Sequence, residues 1–232
     1  MCNLFLNSQL SFFFLAYLKT KSYLCSIQIG DGVSHVATED FRMKHKVGLF
    51  GGSFNPIHNG HIAIGRTMLN ALSLDEVWYM VSPENPWKRG ADDLAPEEVR
   101  YATVKTALMG EGRLVASDYE FHLPRPSYTW NTLQHLEHDY PDHSFVLIIG
   151  GDNWARFPQW AHAEEIVQHY EIAVFPRSGA DSGASIQGGR VSIVNVPRID
   201  VTSTQIRRML RNGEDVSGLV PRSILGMLAP WM

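Results

Sequence analysis

Two histidines, His58 and His61, stand three residues apart around Gly60, shortly after the pair Gly51-Gly52. Imidazoles at this spacing can offer hydrogen bonds or positive charge to one anion. The two glycines let the main chain approach that anion closely. Before them, Val47-Gly48-Leu49-Phe50 reads as a buried strand. After them, Ile62, Ile64, Met68, Leu69 and Leu72 carry a helix pattern, with Asn59 as the expected N-cap. The first N–H groups of such a helix form an anion site. Strand, glycines, histidines and helix start together suit a phosphate. Histidines at this spacing could also share a zinc ion, but zinc needs further ligands and no adjacent cluster supplies them. Gly48 to Gly52 does not follow the dinucleotide fingerprint, and no Gly-Lys pair offers a Walker A loop.

A second set lies near the C-terminus. Thr202, Ser203 and Thr204 put three hydroxyls at a helix start, and Arg207 follows one turn on, on the side of Ser203 or Thr204. This is a second phosphate clamp. Ile206, Met209 and Leu210 turn the same helix inward, so it is also an ordinary capped amphipathic helix. The two readings agree, because capping and anion binding use the same donors. Arg208 reads as a solvated surface charge.

The elements that must carry these groups alternate along the chain. Strands are expected at Glu76–Val81, Leu114–Ser117, Ser144–Gly151, Ile172–Phe175 and Val191–Val196. Helices are expected from Pro96 to about Met109, after a Ser127 cap, around Ala163–Val167, from Thr204 to Asn212, and from about Pro221 to Leu228. The Gly- and Ser-rich stretch from Arg177 to Gly189 reads as a loop. Continuous apolar strands alternating with helices predict an α/β fold: a doubly wound, mostly parallel sheet with helices on both faces. Ligands in such sheets bind beyond the carboxyl ends of the strands, at the switch point. The strands ending at Gly51-Gly52 and Gly150-Gly151 are therefore the predicted floor of the site.

The chain has 232 residues, 44% of them hydrophobic, which suits a single α/β domain. Its net charge of -4 gives no global basic field, so nucleic acid is not an expected partner. Two cysteines, Cys2 and Cys25, lie before the predicted core, which excludes a disulfide scaffold there and fits a reducing, cytoplasmic setting. The apolar run Leu10–Leu18 is shorter than the about 20 residues of a membrane span. Lys19 and Lys21 follow it rather than precede it, unlike a signal peptide. Residues 1–42 are read as an extension outside the fold, with translation expected to start at Met43. An anchoring segment is the alternative, and residues 43–232 form the catalytic domain. Oligomeric state is left open, a homo-oligomer included.

His58-Asn59-Gly60-His61 and Val201-Thr202-Ser203-Thr204-Gln205-Ile206-Arg207 together resemble the markers of the HxGH nucleotidylyltransferase superfamily. Ser127-Tyr128-Thr129-Trp130-Asn131-Thr132-Leu133 and Ile148–Trp160, which includes Gly150-Gly151-Asp152 and Phe157-Pro158-Gln159-Trp160, are similar to motifs of the bacterial nicotinate mononucleotide adenylyltransferases. The resemblance runs from about Lys46 to the C-terminus. It implies a Rossmann-like fold and adenylyl transfer from ATP to nicotinate mononucleotide, giving deamido-NAD and pyrophosphate with Mg2+. It implies that His58, His61, Lys88 and Arg207 act on the phosphates. Gly51, Gly52, Ser53, Phe54, Thr202, Ser203 and Thr204 are the implied ATP contacts. On the mononucleotide side it implies that Trp160 stacks on the pyridine ring and that the N–H groups of Thr129 and Ala161 receive its carboxylate. Asp152 is placed by the ribose and Arg177 by phosphate. No protein ligand of the metal is implied. Asn55 departs from the Asp of many members, so no acid, base or metal role is assigned to it. Another adenylyl- or cytidylyltransferase, a non-catalytic nucleotide sensor and a histidine-metal hydrolase are the alternatives.

Overall fold

The computed structural model describes residues 26–29, 32–35, 44–83, 93–176, 189–197 and 201–232. These residues fall in two units divided between Lys44 and His45. In the first, Ser26–Ile29 pairs antiparallel with Gly32–His35, a hairpin that the sequence pattern did not single out. The expected boundary at residue 42 lies outside the described residues.

The second unit is built on six strands: β1 His45–Gly52, β2 Glu76–Val81, β3 Leu114–Ser117, β4 His143–Gly150, β5 Glu171–Phe175 and β6 Arg190–Ile193. Their order in the sheet is β3-β2-β1-β4-β5-β6, and every pairing is parallel. The order reverses at the β1–β4 pair, which makes the switch point. Side chains alternate across the sheet. Phe50, Tyr79, Val81, Ile148 and Phe175 enter one core; Leu49, Trp78, Met80, Leu147 and Val174 enter the other. Because both faces are covered, the strands read as continuous apolar runs.

The helices are α1 Asn59–Ala71, α2 Glu97–Ala107, α3 Thr129–Asp139, the single turn α4 Gly151–Trp154, α5 Ala163–His169 and α6 Ser203–Arg211. The first core takes Met68 of α1, Val104 of α2 and Ile206 of α6, and the second takes Leu133 of α3 and Ile166 of α5. The doubly wound α/β architecture is the one the alternation predicts.

Several local expectations are corrected. The N-cap of α1 is His58, not Asn59. Asn59 is drawn to the C-terminal segment instead, donating from Nδ2 to Gly218 O at 3.1 Å and from its main-chain N–H to Leu219 O at 2.9 Å. Ser127 does not cap α3; Tyr128 does, with an extended backbone and no side-chain bond. The last predicted helix is two 3-10 turns, Arg222–Met227 and Ala229–Trp231. Gly226 and Pro230 interrupt any longer α-helix there. Strand β6 ends at Ile193 rather than Val196, although Val194 N still donates to Val174 O at 2.9 Å.

The inward stripe of α2 contains an arginine. Arg100 is 1% exposed. Its Nε donates to Ala95 O at 2.8 Å, Nη1 to Ser53 O and Ser82 O at 2.8 Å each, and Nη2 to Pro83 O at 3.1 Å. Burial pulls its pKa down, opposed by Glu97 and Glu98, yet a guanidinium stays charged in proteins. The cation therefore ties the loop after β1, the end of β2 and the entry to α2 to one point. Ser82 also bonds a carboxyl, Glu120. Glu120 accepts from Thr132 Oγ1 at 3.0 Å, and loss of water pushes its carboxyl up to about 7, against the pull of the Thr132 and Ser82 hydrogen bonds.

Two stability measurements check these assignments. Arg100→Ala leaves four carbonyls without a donor and should cost at least about 3 kcal/mol in urea unfolding. A loss under about 1 kcal/mol would mean that water replaces the guanidinium. For Glu120, the folded state holds its proton more tightly than the unfolded chain does. Stability is therefore lost as pH rises from 4.5 to about 7 and is level above that. Glu120→Gln should gain roughly 2–3 kcal/mol on the wild type between about pH 5 and pH 8. A pH-independent difference would contradict the shift.

Candidate active site

One cleft of about 1450 Å3 opens at the carboxyl ends of β1 and β4. It exceeds the roughly 300–1,000 Å3 of a single small-ligand pocket, so it has room for two substrates. Its wall includes Gly51, Gly52, Ser53, Phe54, His58 and His61, with Thr202, Ser203, Thr204 and Arg207 beside them. Thr129, Asp152, Trp160 and Ala161 line the same space. All the described site residues expected from the sequence thus share one cavity. Lys88 and Arg177 lie outside the described residues.

The histidine end is held by packing. His58 is 5% exposed and its ring stacks on that of His61, centroids 3.7 Å apart at 25°. His61 Nδ1 accepts from the His58 main-chain N–H at 3.2 Å. A neutral His61 therefore carries its proton on Nε2. Glycine at 60 is a steric demand, since a Cβ there would meet His58 Nδ1 at 2.9 Å and Val201 at 3.3 Å. Glycine at 65 is another: a Cβ would lie 2.1 Å from the Tyr79 hydroxyl, which donates to His61 O at 2.9 Å. The N-termini of α1 and α6 are bolted together where Ser203 Oγ donates to Pro56 O at 2.9 Å.

The hydroxyls of the second clamp are already engaged. Thr202 is the N-cap of α6 and its Oγ1 accepts from Gln205 N at 3.1 Å. Thr204 Oγ1 accepts from Arg207 Nη2 at 3.4 Å. Arg207 Nη1 donates to Asn55 O at 2.8 Å, and its Nη2 lies 2.6 Å from Asp93 Oδ2.

Aromatic groups build the other end. Trp154 and Phe157 are buried at 4% and 0% exposure, their rings 5.0 Å apart. Trp160 lies 5.2 Å beyond Phe157 and is half-buried on the cleft wall. It is both a core contact and a surface a flat ring can meet. Trp130 stacks on His162 at 5.4 Å and 27°. That contact links the neighbours of Thr129 and Ala161, and so the start of α3 to the start of α5. His162 has a left-handed backbone, φ 59°, where α5 begins.

Four residues of the cleft are given no site role from the sequence. Asn55 is buried, and its Oδ1 accepts from Ala95 N at 3.2 Å and from the Trp231 indole, while Nδ2 donates to Asp93 O at 2.9 Å. An amide can do both; a carboxylate could not donate. Asp93 and Glu120 are acids on the cleft wall, and nothing in their spacing marks them. Ser127 lines it too, with a buried hydroxyl that has no hydrogen-bond partner among the described residues. Among the described residues no group of three or more His, Cys, Asp or Glu side chains is gathered for a metal, and no helix is long and apolar enough to cross a membrane.

A family model described as cytidylyltransferase-like matches residues 49–209. A protein of Bacteroides fragilis named "probable nicotinate-nucleotide adenylyltransferase" is 46% identical over 173 residues, 75% of this chain and 86% of its own length. One of the same name from Cytophaga hutchinsonii is 42% identical over 179 residues, covering 77% of this chain and 93% of its own. Among solved structures, Plasmodium falciparum nicotinic acid mononucleotide adenylyltransferase complexed with NaAD superimposes with a TM-score of 0.67 at 17% identity, covering 80% of this chain and 97% of that one. That likeness speaks for the fold, while the sequence matches carry the kinship. The chain belongs to the cytidylyltransferase-like family, among its nicotinate-nucleotide adenylyltransferases.

Proposed function

We infer that the protein transfers the adenylyl group of ATP to nicotinate mononucleotide, giving deamido-NAD and pyrophosphate in NAD biosynthesis. The observation that carries this reading is a single cleft with two helix N-termini at one end and Trp160 at the other. A phosphate oxygen of the mononucleotide attacks the α-phosphorus of ATP in line. The bond from that phosphorus to the α–β bridging oxygen breaks, and pyrophosphate leaves. No enzyme nucleophile is needed, so catalysis is positioning and charge stabilisation.

In this proposal His61 Nε2–H and His58 stabilise charge growing at the α-phosphate. The free N–H groups of α6 and the Arg207 guanidinium take the outer phosphates. Trp160 stacks on the pyridine ring, the N–H groups of Thr129 and Ala161 read its carboxylate, and Asp152 meets the ribose. Lys88 and Arg177 are proposed as further phosphate-facing cations. Mg2+ is proposed to arrive with ATP, where it offsets polyphosphate charge. A cytoplasmic setting is part of the proposal, as is the absence of a nucleic-acid or membrane partner.

Three kinetic results test it. The full-length protein should release pyrophosphate with ATP, Mg2+ and nicotinate mononucleotide, and prefer this acid to nicotinamide mononucleotide; no release with either would overturn the reading. His61→Ala should lower kcat by roughly 10² to 10³, and full activity would remove it from the chemistry. Trp160→Ala should chiefly raise KM for the mononucleotide; an unchanged KM would return Trp160 to the core.

A further inference from the structure

The phosphate clamp holds an anion of the protein's own. Asp93 presents a single carboxylate oxygen, Oδ2, to Arg207 Nε at 2.9 Å and to Nη2 at 2.6 Å. Arg211 Nη2 lies 3.9 Å from the same oxygen. The third guanidinium nitrogen, Nη1, is held by Asn55 O at 2.8 Å. This forked approach is the one a phosphate oxygen would accept.

The two partners differ in how they are held. The Arg207 side chain is 11% exposed and the Asp93 side chain 39%. Arg207 keeps its Asn55 contact whatever Asp93 does. The Asp93 main chain is fixed as well, because its carbonyl accepts from Asn55 Nδ2 at 2.9 Å. The Asp93 carboxylate is the more exposed partner and is the link that can turn into water. Asn55, Asp93 and Arg207 thus close a ring with one releasable link. Without that link a largely buried guanidinium would lose the carboxylate paired with it among the described residues, which is costly. A polyphosphate brings more negative charge than one carboxylate, so it wins the exchange.

We propose that Asp93 is a built-in competitor for the polyphosphate at Arg207, a residue that sets the affinity of the site for ATP and pyrophosphate. The proposal rests on the reading that Arg207 receives phosphate. The Asp93 carboxylate fills the guanidinium fork until a phosphate displaces it, and reclaims it as pyrophosphate leaves. Asp93 therefore weakens ground-state binding and hastens product release.

The test is Asp93→Asn in the full-length protein, read by calorimetric binding of inorganic tripolyphosphate and by steady-state kinetics. Asn keeps the size and removes the charge. Tripolyphosphate should bind roughly threefold to tenfold tighter, within the range of a partly exposed ion pair. KM for ATP should fall in step, with KM for the mononucleotide unchanged. Asp93→Ala should move affinity the same way. In an Arg207→Ala background Asp93→Asn should give no gain. Weaker or unchanged tripolyphosphate binding would overturn the proposal and make Asp93 an aligner of Arg207. A gain that survives without Arg207 would overturn it too, as mere removal of charge from the cleft. Tripolyphosphate binding needs no mononucleotide, so its outcome does not depend on which acceptor the protein uses.

Discussion

Four main-chain carbonyls converge on the Arg100 guanidinium, and the shape of the cleft floor depends on that convergence. Two parallel strands that end side by side give a crevice, but nothing in sheet pairing fixes the loops that leave them. Here Ser53 belongs to the loop after β1, Ser82 and Pro83 to the loop after β2, and Ala95 to the approach to α2. One buried cation with donors in a rigid plane satisfies all of them. The carbonyl dipoles, with the field of Glu97 and Glu98 on the first turn of α2, supply the compensation that a buried charge requires. Asn55 continues the same brace. Its amide joins Ala95, Asp93 and Trp231 to the Gly51–His61 segment.

The chemistry then follows from where helices begin. Helices α1 and α6 bring their N-termini to one cleft, and Ser203 Oγ on Pro56 O keeps them together. In the proposed reaction, the donors that a helix cannot use internally serve the polyphosphate. Packing makes the arrangement rigid: Gly60 admits the ring of His58, and Gly65 admits the hydroxyl of Tyr79 that holds the His61 carbonyl. At the far end, the Trp154–Phe157–Trp160 series carries the core outward to the cleft wall. The site is thus an extension of two ordinary packing problems, a helix start and an aromatic core, to the rim of the sheet.

Much of this was legible in the sequence. The strands and their order of appearance follow from continuous apolar runs such as Phe145–Ile149, and the two glycine-ended strands do meet at the switch point. The His58–His61 and Thr202–Arg207 segments line one cleft, as their chemistry required. What was not legible depends on distant partners. Asn59 is a good N-cap by type, yet contacts to Gly218 and Leu219 draw it away. Asn55 looks like a simple loss of charge until Trp231 and Asp93 appear beside it. Arg100 had a faint signal: it shares the inward stripe of α2 with Thr103, Val104 and Ala107, a spacing that places a charge where an apolar residue belongs. Asp93 had none, because an exposed acid before a helix is ordinary in any sequence.

The central claim is that one cleft orients both substrates, with the pyridine at Trp160 and the phosphates between His61 and Arg207. A crystal structure of the full-length protein with deamido-NAD bound tests it most directly. The account predicts the pyridine ring stacked on Trp160, its carboxylate on the Thr129 and Ala161 N–H groups, and the dinucleotide phosphates against His58 and His61. A pyridine ring bound elsewhere, with Trp160 facing solvent or core, would contradict it.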